Sequence, residues 1–76
     1  MKGTVELIIK ALVDDDASVD VREIERNGAT LIEVRVAPED VGKVIGRQGR
    51  TVRALRSLCY AASVKANRRY VLEVVG

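Results

Sequence analysis

The sequence predicts an α+β fold in which a three-stranded mixed sheet packs against three helices, in the chain order α-β-β-α-α-β. Three observations predict it. Apolar residues recur at helical spacing over 4–13 and again over 50–66. An Asn-Gly dipeptide at 27–28 separates two stretches of strand character. A largely helical connection of about 33 residues then joins the second of these to a last apolar strand, long enough for a crossover to a parallel neighbour.

In the first helix, over 4–13, Val5, Ile8, Ile9 and Leu12 fall at i, i+3, i+4 and i+7, a stripe that packs on a core. Thr4 is the expected N-cap. Leu7 and Ala11 widen the apolar surface, as a helix that also meets a second subunit would. Asp14, Asp15 and Asp16 end the pattern. They lack the glycine and the closing glutamate of a calcium loop and read as a solvated helix end. Residues 19–26 form a strand in which Val19 and Val21 agree in phase and Ile24 does not, which suggests a bulge. Asn27-Gly28 makes the hairpin turn, because both central residues of a type I′ turn need positive φ. Over 30–36, Ile32, Val34 and Val36 face inward, while Glu33 and Arg35 face water.

Pro38 closes that strand and opens a short helix over 39–45, with Val41, Val44 and Ile45 inward and Glu39 and Asp40 at its favourable N-terminal end. The long helix over 50–66 repeats Val52, Leu55, Cys59, Ala62 and Ala66 at spacings of three and four. Asn67-Arg68-Arg69 form the exit turn, and 70–75 is the final strand.

Composition removes several function classes. A chain of 76 residues is read as one domain, 1–76, and one this size buries only about 60% of its unfolded surface, so a deep enclosed active site has no room. There is no histidine and one cysteine, Cys59, so neither a Cys/His metal cluster nor an internal disulfide can form. Cys59 falls in the core pattern of its helix and reads as an inert buried thiol. No general acid–base pair can be placed, so an enzyme is not expected, and no metal or cofactor is implied. Glu6 and Lys10 interrupt the N-terminal apolar run, which argues against a signal peptide or a membrane span. A cytoplasmic location is expected, and no membrane partner. Tyr60 and Tyr70 are the only aromatic residues, so the core must be aliphatic and ring stacking cannot be the main grip on a ligand.

The net charge of +2 conceals a division. Residues 1–40 carry five basic and ten acidic side chains, and residues 41–76 carry eight basic and one acidic. Lys43, Arg47, Arg50, Arg53 and Arg56 follow one another with no acid between them, which points to an anionic partner. Inside this run stands Val44-Ile45-Gly46-Arg47-Gln48-Gly49-Arg50-Thr51. Gly46 can be a helix-ending glycine and Gly49 a residue of the tight turn before the next helix. The pair can equally let a sugar-phosphate chain approach the peptide plane, where the next helix presents amide groups and its positive dipole end. Arg47, Arg50 and Arg53 add charge there, and Lys43 flanks the loop from the preceding helix. Gly42, inside the short helix, costs about 1 kcal/mol relative to alanine. It fits either close approach of a ligand or packing against the sheet. Neither a G-x-G-x-x-G after a strand nor a P-loop is present.

Val44 to Leu55 resembles the K-homology (KH) signature, V-I-G-x-x-G-x-x-hydrophobic-basic-x-hydrophobic, at every defined position, and the α-β-β-α-α-β order is similar to the type II, prokaryotic KH fold. The resemblance covers essentially the whole chain. It implies a single-stranded RNA-binding protein, an RNA chaperone or post-transcriptional regulator, in which Gly46, Arg47, Gln48 and Gly49 clamp the backbone of about four nucleotides. Single-stranded DNA is a possible alternative ligand. Val44 and Ile45, with Val52 and Leu55 in part, would line the groove, so that bases lie against aliphatic side chains. The resemblance also implies a homodimer, or pairing with a larger multi-module KH protein. A KH-like module acting mainly through protein interaction is the competing reading.

Overall fold

The structure, a computed structural model, describes residues 1–75. Helix α1 spans Lys2–Leu12, followed by a single 3-10 turn at Asp16–Ser18. Strands β1 (Asp20–Arg26) and β2 (Ala29–Arg35) form the hairpin. A 3-10 turn at Pro38–Asp40 leads into α2 (Val41–Ile45), a further turn at Arg47–Gly49 leads into α3 (Arg50–Ala66), and β3 (Arg69–Val75) completes the chain. The sheet order is β1-β2-β3, with β1 antiparallel and β3 parallel to β2. The mixed sheet and the parallel pairing across the helical connection are as the sequence predicts.

One sheet face carries the core. Val21, Ile32, Val34 and Leu72 point into a cluster completed by Val5 and Ile9 of α1, Val44 of α2, and Val52, Leu55 and Cys59 of α3. All three helices therefore lie on that face. Among the described residues no aromatic ring is fully buried; Tyr70 packs against the cluster from its margin. The opposite face sets Ile24, Leu31 and Val71 in one cross-strand row. Val71 there is 40% exposed.

Asn27 (φ 49°) and Gly28 (φ 78°) both hold left-handed backbone, as a type I′ turn requires. At the far end of α3, Asn67 adopts φ 52°, ψ 41°. The Arg68 amide donates to the Ser63 carbonyl (3.1 Å) and that of Asn67 to Val64 (3.4 Å), which is a Schellman ending with asparagine in place of the usual glycine.

Four local expectations are corrected. Thr4 is not an N-cap: α1 begins at Lys2, and the Val5 amide bonds the Met1 carbonyl at 3.1 Å, because Met1 packs on the core and carries the helix backward. No bulge occurs in β1. Its ladder to β2 runs without interruption from Asp20↔Arg35 to Arg26↔Ala29, and Ile24 simply belongs to the outer face, opposite Leu31. The helix expected over 39–45 is divided between the turn at Pro38–Asp40 and α2. Asp40 caps neither, since its carboxylate is engaged elsewhere. Gly42 does not pack on the sheet; an added Cβ would meet nothing within 4 Å.

Among the described residues no helix is long and apolar enough to cross a membrane.

Candidate nucleic-acid interface

Three of the four residues in the loop joining α2 to α3 have positive φ. Gly46 has φ 78°, Gln48 φ 58° and Gly49 φ 73°. Gln48 pays a conformational penalty that the two glycines avoid, since a side chain in this region costs about 1–2 kcal/mol. The loop is closed by the Gly49 amide donating to the Gly46 carbonyl (3.1 Å), and the Arg50 amide donates to the Arg47 carbonyl. Part of the amide set expected to face a ligand is thus consumed within the loop. The amides of Arg47 and Gln48, the first residues of this turn, have no acceptor within it.

The two glycines differ in what they require. A Cβ on Gly46 would stand 2.6 Å from the Thr51 Cβ and 2.8 Å from the Thr51 amide nitrogen. A Cβ on Gly49 would meet only the Arg53 guanidinium, at 3.7 Å. Gly46 is therefore fixed by both space and φ, and Gly49 by φ alone. The helix-ending role and the open-loop role weighed for these glycines are compatible in one geometry.

Four predicted residues gather here. Arg53 donates from Nη2 to the Gln48 carbonyl at 2.8 Å, and Arg50 reaches the Gln48 Oε1 at 3.5 Å. Gln48 thereby draws two guanidinium groups over the loop, with Arg47 beside it. All four side chains are exposed. None of the ion pairs among the described residues involves Arg47, Arg50, Arg53 or Arg56, so their charge stays uncompensated.

Three predicted residues are placed differently. The Lys43 ammonium is bound at the surface by the Asp14 carboxylate and lies 3.4 Å from Asp40, so its charge is paired with carboxylates of the chain itself. The Asp14 carboxylate, ahead of Asp40, holds the Lys43 pKa above the ordinary lysine value. Val44 is 0% exposed and cannot touch a ligand; it serves the core instead, because α2 is pressed against α3 and the sheet. Ile45 is half-buried and packs on the same core, keeping only part of its surface for a groove. Val52 and Leu55 are likewise buried.

Asp40 was not foreseen as a structural hub. It is 1% exposed and accepts the Asp15 amide at 3.1 Å and the Asp14 amide at 3.4 Å. The Asp15 amide, followed by that of Asp14 and the Lys43 ammonium, holds its carboxyl below the ordinary aspartate range, against the opposing effect of burial. This anchors the α1–β1 connection to the start of α2. Thr51 and Arg56 also went unassigned. Thr51 matters only through its position over Gly46, a contact that no spacing rule reveals.

The family model described as KhpA/KhpB, KH domain, matches residues 2–74. The chain is 48% identical to the RNA-binding protein KhpA of Caldanaerobacter subterraneus subsp. tengcongensis, over 99% of this chain and 100% of that protein. It is 49% identical to the RNA-binding protein KhpA of Halalkalibacterium halodurans over 99% of each chain. To the protein of that name from Clostridium perfringens it is 44% identical, over 99% of this chain and all of the relative. Among solved structures none matches. With a KH signature read at 44–55, a loop of left-handed backbone between α2 and α3, and relatives aligned from end to end, the chain belongs to the KhpA/KhpB KH-domain family.

Proposed function

We propose that the chain binds single-stranded RNA and grips its backbone at the loop 46–49. The observation that carries this reading is the uncompensated array of Arg47, Arg50 and Arg53 gathered around a loop of positive φ, in a chain whose aligned relatives are named RNA-binding proteins. Backbone amides and guanidinium groups recognise phosphate in any sequence, so the grip extends to single-stranded DNA and leaves base preference to the groove. A carrier of this kind acts as an RNA chaperone or post-transcriptional regulator, without chemistry of its own. The free, buried Cys59 suits a reducing compartment, and the cytoplasm is the location this reading assigns.

The test is the double substitution Arg47→Asp with Gln48→Asp. Both positions are exposed, and aspartate tolerates the left-handed conformation at 48. Folding should be retained and filter retention of RNA lost. Undiminished retention would remove the loop from the binding site.

Self-association, or pairing with a larger KH protein, has its own support. Leu7 is 73% exposed beside exposed Ala11 on α1, and Leu58 on α3 is 38% exposed. Gel filtration with and without short RNA separates a protein-interaction module from an RNA-binding one.

A further inference from the structure

Five basic residues follow one another from 43 to 56, and one of them differs from the rest. Arg47, Arg50, Arg53 and Arg56 form no ion pair among the described residues, while Lys43 forms two. Lys43 nonetheless stands next to the loop. It precedes Gly46 by three residues, about 4.5 Å along the axis of α2, a distance that the flexible lysine stem spans. Its ammonium is drawn instead to a carboxylate 29 positions away along the chain.

The two carboxylates hold it in different ways. Asp40 is 1% exposed and already accepts the Asp14 and Asp15 amides, so its 3.4 Å contact with Lys43 adds to an anchor that exists without it. The Asp14 carboxylate is 84% exposed, and among the described residues Lys43 is its one partner. Asp14 supports the fold through its backbone amide, which any residue there would supply. Exposed ion pairs contribute little to stability, so folding alone gives this carboxylate small purpose. Its larger effect is to compete with a phosphate for the Lys43 ammonium.

We propose that Asp14 is a positioning residue for nucleic-acid binding. It keeps Lys43 turned away from a strand held at the loop 46–49, and so sets the affinity below what the basic run could give. The proposal rests on the loop being the clamp. With Asp14 on Lys43 in the complex, the strand neutralises three cations instead of four. The missing contact shortens the life of the complex, since affinity differences at one interface lie mainly in dissociation.

The experiment is filter binding of a labelled eight-nucleotide oligouridylate across a salt series. Asp14→Asn should bind about threefold more tightly at low salt, the size of one surface ion pair. Its log–log slope should steepen from about −2 to about −3. Asp16→Asn removes the same charge two residues further on, where the side chain is exposed and in no ion pair among the described residues. Its gain should be smaller and its slope that of the wild type. In the Lys43→Met background, Asp14→Asn should gain no more than Asp16→Asn does, because the group it releases is gone. In the wild type, RNA should shift the Arg47 and Gln48 amide resonances and leave the Lys43 ε-methylene in place, a readout that needs no variant to fold. Equal gains from Asp14→Asn and Asp16→Asn, or a gain that persists in full without Lys43, make the effect one of overall charge and overturn the proposal. Lys43 signals that move with RNA in the wild type overturn it too, since the strand then takes the ammonium from Asp14. Each of these leaves the clamp standing. RNA that moves no loop amide, or does not bind, overturns the clamp and the proposal together.

Discussion

Thr51 occupies the space that a side chain on Gly46 would need. Its Cβ and amide nitrogen would lie 2.6 Å and 2.8 Å from a Cβ built there. The first turn of α3 is therefore folded back against the last residue before the loop, and the loop's shape is held by a contact within the protein, before any ligand arrives. This rigidity favours binding, because a backbone already in place loses little entropy on contact.

Gly49→Ala should cost about 1–2 kcal/mol, the penalty of left-handed backbone alone. Gly46→Ala should cost that and an overpacking penalty of about 1–3 kcal/mol, because Thr51 presents backbone as well as side chain to the new methyl. Urea unfolding of both variants checks the order. Equal midpoints would mean that Thr51 gives way.

The salt dependence should reflect three phosphate contacts rather than four. If Arg47, Arg50 and Arg53 each neutralise one phosphate of a short single strand, the log–log slope of affinity against salt should be about −2. Counting Lys43 as well would bring it to about −3. Because Asp14 and Asp40 already hold its ammonium, Lys43→Met should weaken RNA binding less than Arg47→Met. Filter binding across a salt series measures both.

Asp40 should govern the acid limb of stability. Its folded pKa is depressed, chiefly by the Asp15 amide, so its contribution is fully present above the ordinary aspartate pKa. That contribution is lost as pH falls through the lower folded value. Asp40→Asn should lower the urea midpoint at neutral pH and flatten the decline below about pH 4, where an unperturbed aspartate titrates. A parallel acid decline in both proteins would assign the effect to other carboxylates.

Cys59 should resist thiol reagents in the folded protein. It is 2% exposed, and burial pushes its pKa above the ordinary thiol value, so little thiolate exists at neutral pH. Labelling by an aromatic disulfide should follow the unfolding transition and rise in the native state only under alkaline conditions. Rapid native labelling at neutral pH would show that the last turns of α3 open locally.

The local plan of this protein was legible because each part of it is a short-range rule. Helical spacing placed α1 and α3 to within two residues, Asn27-Gly28 announced its turn, and alternation over 30–36 chose the buried face of β2. The spelling at 44–51 located the loop, since left-handed backbone at Gly46 and Gly49 is a property of the residues themselves. β1 was harder: Ile24 looked out of phase because an apolar residue on the outer face carries the same hydropathy as one on the inner.

By itself, then, the sequence determined the order and type of the elements, the position of the basic loop and the aliphatic make-up of the core. The tertiary structure alone decided how each polar and apolar side chain is used. Val44 went to the core although the KH signature suggested a groove-lining role for it. Lys43 turned to Asp14, 29 positions away along the chain. Asp40 left the helix end it was suited to cap and gathered two amides from the α1–β1 connection. The physical reason is common to all three. Periodicity and φ preferences act within a few residues, whereas burial and charge pairing depend on which segments the fold brings together.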